Sequence, residues 1–279
     1  MTMPAADVQD HPKKQQTRAA AGRFCVFVSS SDRARDVFEV VFRNSETIWR
    51  DCKWPRYVGF TSKHPDMYGF TAVAAKRPSD WRGEFGDQLD CLPDAIEYVL
   101  RIDEDALFLS PVDGSALNAI ADRMVREDLS YVSLVPVKRN FVGNIVEYIR
   151  RKRNKTPLRQ IGFSEPYYSS VAVAIWKRSY LRLLLRRPGS IWEFEHIVTD
   201  EPHYAVWKKV FNQDQIVTKG KWSYRAPRKL ARQGLSIGDS KREFQTIGSW
   251  LRGIREKISF QVAGFLSFRI RKRLNRLPR

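Results

Sequence analysis

Cysteine and histidine are scarce, with three and four residues in a chain of 279. Cys25, Cys52 and Cys91 are too few and too scattered for a disulfide framework, and none sits in a CxxC or Cys/His spacing suited to zinc. A reducing compartment is expected. Long hydrophobic runs are missing too. The first apolar run, Phe24 to Val28, has five residues and follows a polar leader, so no secretory signal peptide is expected. The longest uncharged stretch near the C-terminus, Ile258 to Phe268, has eleven residues, against the roughly 20 that a membrane-spanning helix needs. Negative charge is also short, with 31 Asp and Glu against 49 Lys and Arg, a net charge of +18. What the chain does have is 43% apolar and 12% aromatic residues, which supply a sizeable core and exclude disorder throughout.

Four segments are expected: a disordered leader over 1–22, a folded domain over 23–227, a linker over 228–240 and a basic tail over 241–279. Arg23 to Ser30 and Arg56 to Ser62 are short β-rich runs that end in small polar residues. Asp36 to Phe42 has a helical pattern, and the apolar positions 81, 85, 89 and 92 predict a helix over Trp81 to Leu92. Glu97 to Ile102 is a third strand. Alternation of this kind predicts an α/β domain with a mainly parallel sheet, in which ligands gather at the carboxyl ends of the strands. Further on, helices are expected over Gly114 to Met124, Arg178 to Leu185 and Thr199 to Phe211, the last with Pro202 in its first turn. Tyr131 to Val137 and Val171 to Trp176 are expected as strands.

The informative motif is LRIDEDALFL, residues 100–109. On an extended chain Asp103 and Asp105 point to one side and Glu104 to the other. Two converging carboxylates suit Mg²⁺ or Mn²⁺, which takes its remaining ligands from water and substrate phosphates, as in a nucleotide diphosphate. The competing reading is a solvated turn. Against it, the triplet lies between two apolar runs, where carboxylates are costly unless paired or metal-bound.

The order VSSSD (28–32), YVGFTS (57–62), Trp81 with Leu89 and Leu92, EYVLRIDEDALFL (97–109), YYSSVAVAIWKRSYL (167–181), IWEFE (191–195) and VTKGKW (217–222) resembles bacterial glycosyltransferases of the GT-A fold. Such a resemblance implies a GT-A-like, Rossmann-like sheet over about residues 23–225. It also implies sugar transfer from a nucleotide-sugar, UDP-linked, in surface polysaccharide synthesis. The DxD metal motif of those enzymes maps onto Asp103 and Asp105, with Glu104 as a substitute ligand. Asp32 matches the position that contacts the nucleobase or ribose, and Thr61 and Trp81 lie near the donor site.

A second acidic cluster, SIWEFEH (190–196), places Glu193 and Glu195 beside Trp192 and Phe194. Apolar surroundings raise a carboxyl pKa toward the range useful for a general base. By resemblance to members with a Trp-acidic-Phe-Glu pattern, Glu195 is the base of an inverting transfer and Glu193 the reserve. The competing reading is a helix N-terminus with both aromatics in the core. Trp176 either faces an acceptor sugar or packs in the core. His196 and His203 lack paired ligand spacing and are expected to be structural.

The tail holds eleven Lys and Arg against two acids, half of the net charge, and its apolar residues from Ile247 to Leu266 follow helical spacing. A basic amphipathic helix of this kind suits an anionic membrane surface, and docking on the chain's own domain is the competing reading. Arg150 to Arg159 is either a basic loop over the site or a solvated one. Nucleic acid is not expected as a partner, since no RRM, KH, zinc-finger or helix-turn-helix signature accompanies the charge. The expected protein is a transferase on the inner face of the plasma membrane, acting on a lipid-linked or polysaccharide acceptor. A noncatalytic protein that binds membranes or acidic polymers on the same fold is the alternative.

Overall fold

The computed structural model describes residues 22–77, 79–136, 158–163, 168–195, 197–207, 209–253 and 255. Most of the leader, His196, residues 150–157 of the basic segment and nearly all of 254–279 therefore lie outside the described residues. The chain divides into two compact units, residues 1–137 with 156–214, and residues 138–155 with 215–279.

The first unit is a mixed α/β fold around an eight-stranded, mainly parallel sheet. In chain order the strands are β1 (Phe24–Ser29), β2 (Arg56–Phe60), β3 (Thr71–Ala74), β4 (Tyr98–Asp103), β5 (Ala106–Phe108), β6 (Tyr131–Ser133), β7 (Leu158–Gln160), β8 (Ala174–Lys177) and β9 (Tyr204–Val206), of which β5 lies outside the eight-stranded sheet. Its helices are α1 (Arg35–Val41), α2 (Ser45–Ile48), α3 (Trp81–Asp90), α4 (Gly114–Arg126), α5 (Arg178–Leu185) and α6 (Ile191–Phe194). Strands run in the order β3-β2-β1-β4-β8-β6-β9-β7. β1 pairs in parallel with β2 and β4, β2 with β3, and β6 with β9; β8 runs antiparallel between β4 and β6, and β7 antiparallel to β9.

β1 has five fully buried residues in succession because it is central and covered on both faces. Cys25 and Phe27 join Phe85 and Leu89 of α3 and Leu181 and Leu184 of α5 in one core cluster. Phe24, pointing the other way, stacks on Trp54 and Tyr98 with ring centroids 4.9 and 4.6 Å apart. Caps set the helix starts. Asp80 accepts from the backbone N–H of Gly83 at the head of α3, and Asp113 from those of Ser115 and Ala116 at the head of α4. Gly114 has no substitute there, since a Cβ would stand 2.1 Å from the Asp51 carbonyl oxygen. All three cysteines are free; Cys25 and Cys52 are buried and Cys91, just after α3, is exposed.

The helix expected over Thr199 to Phe211 is not there. Tyr204–Val206 is instead strand β9, held between β6 and β7. Pro202 precedes that strand, and the β-rich Tyr-Ala-Val run gains two hydrogen-bonding neighbours that no local pattern announces.

In the second unit, Val217–Thr218 and Lys221–Trp222 form a hairpin whose two turn residues, Lys219 and Gly220, both have positive φ. A short helix, α7 (Ala226–Ala231), overlaps the expected linker and buries Leu230. Residues 247–253 are helical, with Ile247 and Leu251 more than half exposed. No helix among the described residues is long and apolar enough to cross a membrane.

Candidate active site

Parallel pairing sends the carboxyl ends of β1, β2 and β4 to one edge, and the register sets Ser29 between Gly59 and Asp103. From β1 the chain moves outward to β2 and β3, then returns to β4 on the opposite side of β1. Ligands of open α/β sheets bind in the crevice outside such a reversal. Asp32 follows one of the two flanking strands and the acidic triplet ends the other.

Asp32 Oδ1 accepts from the backbone N–H groups of Thr61 and Ser62 and lies near His64 Nε2, each at 3.1 Å. Burial acts against its ionisation, but the hydrogen bonds from Ser62 and His64 outweigh it and hold the carboxyl below its ordinary value. This oxygen thus ties the end of β1 to the loop after β2. Thr61 Oγ1 donates to Glu84 on α3 at 3.3 Å. Trp81 opens α3; its indole N–H is buried without a hydrogen-bond partner among the described residues.

The acidic triplet departs from the extended geometry expected of it. β4 ends at Asp103, Glu104 and Asp105 form a turn, and β5 starts at Ala106. Strand alternation therefore does not set Asp103 and Asp105 side by side. Asp103 Oδ1 lies 2.5 Å from Arg101 Nη1, and Arg101 is 5% exposed. The same guanidinium donates to the carbonyl of Val171. Among the described residues no group of three His, Cys, Asp or Glu side chains is arranged to hold a metal ion. The carboxylates at this edge are hard oxygen donors of the type Mg²⁺ and Mn²⁺ take, but Asp103 already has a cation.

The second cluster reaches the same edge. Ala174 at the start of β8 is in register with Arg101 and with Ser133. Just before it, Ser170 Oγ donates to Glu195 Oε1 at 3.1 Å, and the Ser170 carbonyl accepts from the Tyr131 hydroxyl at 3.1 Å. Glu195 ends α6 and is half-buried. Phe194 is fully buried and meets Trp81 edge-on, with centroids 5.6 Å apart. Glu193 behaves opposite to the expectation of a raised pKa. It closes a capping box with Ser190, whose backbone N–H it accepts, and that bond holds its carboxyl below the ordinary value. Trp192 is 71% exposed, so only one of the two aromatics packs in the core. Trp176 is fully buried against Tyr131 at 4.3 Å and Phe194 at 5.9 Å, and offers no face to a sugar.

Two residues escaped the sequence reading. Arg82 lies over the rings of Trp81 and Phe194 at 5.5 and 5.4 Å and donates to the carbonyls of Arg187 and Ser190, fastening α3 to α6. Arg101 is the other. Their signal was an arginine inside an apolar pattern, YVLRID for Arg101. Two clefts of about 540 and 560 Å³ run along α5 and share Tyr180, Leu183 and Glu201; none of the site residues above lines either.

His203 is fully buried and structural, as expected. Its Nδ1 faces the Tyr168 carbonyl at 2.8 Å, so this nitrogen carries the proton and Nε2 accepts from the Tyr180 hydroxyl at 2.9 Å. Burial lowers its pKa from 6.5 to about 4, against the opposing bond to Tyr168. Between these values unfolding takes up a proton, so stability falls as pH drops from 6.5 toward 4 and is unaffected by this group at higher pH. The loss approaches about 3 kcal/mol. Melting curves between about pH 7.5 and 4.5 should show the decline, and a His203→Gln variant should lose part of it; equal slopes in both proteins would contradict this origin.

No family model matches the chain, and no curated protein matches it. Solved structures to which the chain is similar include Staphylococcus aureus TarS residues 1–349 in complex with UDP-GlcNAc, at 10% identity and a TM-score of 0.43, covering 72% of this chain and 60% of that one. A 4-diphosphocytidyl-2C-methyl-D-erythritol synthase from Anaerococcus prevotii is 11% identical with a TM-score of 0.43, covering 78% of this chain and 99% of that one. The 2-C-methyl-D-erythritol 4-phosphate cytidylyltransferase of Thermus thermophilus has 10% identity and a TM-score of 0.38, covering 74% and 94%. The chain thus spans about 60% of the TarS structure. At such identities and TM-scores these likenesses carry no argument about this chain.

Proposed function

We propose that the protein is a glycosyltransferase that moves a sugar from a nucleotide-sugar, UDP-linked, to a lipid-linked or polysaccharide acceptor. One observation supports the reading above the others. Asp32, the acidic turn and Glu195 share the sheet edge at the reversal of strand order, and Phe194 links Trp81 to Glu195. In this reading the loop pinned by Asp32, together with Thr61 and Trp81, borders the nucleotide. The carboxylates of the acidic turn hold Mn²⁺ or Mg²⁺, which when bound offsets the charge of the departing diphosphate. Glu195, oriented by the Ser170 hydroxyl, takes the proton of the attacking acceptor hydroxyl, as an inverting transfer requires. Glu193 is tied up as a helix cap and does not compete for that role. The basic tail over 241–279 attaches the protein to the anionic inner face of the plasma membrane, each nearby Lys or Arg adding about 1 kcal/mol.

A screen of nucleotide-sugars for Mn²⁺-dependent hydrolysis tests the proposal, with anionic liposomes added to one arm. At least one donor should be hydrolysed, and the protein should sediment with the liposomes unless residues 241–279 are removed. Glu195→Gln should lower the turnover number by about 100-fold or more while leaving UDP affinity within about twofold. Hydrolysis of none of the common donors would remove the enzyme reading; full activity in the Gln variant would remove Glu195 as the base.

A further inference from the structure

The geometry points to a resident counter-ion at the acidic edge: Arg101 is the cation that Asp103 serves, and a divalent ion at this edge is not ligated by Asp103. Residues two apart on a strand share a face, so Arg101 and Asp103 of β4 project to the same side. In register, Arg101 stands between Phe27 of β1 and Ala174 of β8, both fully buried. A guanidinium keeps its charge in proteins, and burying it among such neighbours demands a compensating carboxylate and hydrogen-bond acceptors. Asp103 supplies the carboxylate at 2.5 Å and Val171 a carbonyl. Arg101 Nε is buried with no hydrogen-bond partner among the described residues, so this guanidinium has no acceptor to spare. Drawing Asp103 away to a metal would strand a buried positive charge, which is the costly way to break such a pair.

The pair also has a placement that a metal ligand would not need. Through Val171 the guanidinium holds the segment whose Ser170 hydroxyl reaches Glu195, so one buried side chain joins the end of β4 to the second acidic cluster. Arg101 is therefore a positioning residue. Only the clause about metal rests on the proposed function.

Two measurements on the full chain decide it. Mn²⁺ binding in the presence of UDP, followed by electron paramagnetic resonance, should stay within about twofold in Asp103→Asn and weaken at least tenfold in Asp105→Asn. Thermal melting should show Arg101→Gln and Asp103→Asn each lowering the midpoint, with the double variant melting higher than the sum of the two losses allows, because removing both partners leaves no stranded charge. A tenfold loss of Mn²⁺ affinity in Asp103→Asn, or midpoint losses that simply add, would overturn the inference. Wild-type protein that takes up no Mn²⁺ would remove the metal from the proposed function, and the melting cycle would still decide for or against the pair.

Discussion

Replacing Asp105 with Asn is expected to lower nucleotide-sugar turnover by about 100- to 1,000-fold, the range seen when one group that stabilises developing charge is deleted. The substitution keeps the side chain's size and removes its charge, so far-ultraviolet circular dichroism should be unchanged. Its position explains the size of the effect. Asp105 lies in the turn between β4 and β5, beside the strand whose neighbour β1 marks the reversal of strand order, where a diphosphate would meet the sheet. If turnover survives at the wild-type level, the acidic turn is no part of the chemistry.

The second large effect is on stability. Trp176→Ala should cost about 3–5 kcal/mol, since the indole is fully enclosed by Tyr131, Phe194 and Tyr180 and its removal leaves a cavity that close-packed rings cannot fill. Trp192→Ala, on the exposed side of α6, should change stability by no more than about 0.5 kcal/mol. Urea denaturation of the two variants makes the comparison. Equal, small losses in both would mean that Trp176 is far less well packed than its contacts indicate.

Much of this fold was legible because its central elements announce themselves locally. β1 is apolar up to its final Ser29 and β4 is apolar but for Arg101 and its final Asp103, and the Arg178 to Leu185 helix matches its pattern residue for residue. The misread helix over 199–211 failed for a different reason. Pro202 followed by mixed apolar residues fits a helix start, but β9 owes its state to β6 and β7, partners that lie at least 40 residues away in the chain.

The site was legible in its residue types more than in its geometry. Asp103 to Asp105 read as a continuous extended segment, and nothing local marks the turn that interrupts it. Glu193 shows the reverse. Ser190 three residues before it is a capping-box spacing, and that local signal outweighed the apolar neighbours that suggested a raised pKa. Arg101 was unreadable as a partner of Val171, because the contact spans β4 and the entry to β8 and has no signature in either segment.

Of the three thiols, one is accessible: Cys91 immediately follows α3, the helix that opens at Trp81, while Cys25 and Cys52 are enclosed. A maleimide dye can therefore be attached at a single point of the natural chain, without first engineering the other thiols away. A fluorophore there sits at the far end of the rod that opens at Trp81, and a change in its emission on adding nucleotide would report directly whether that rod responds to the proposed ligand.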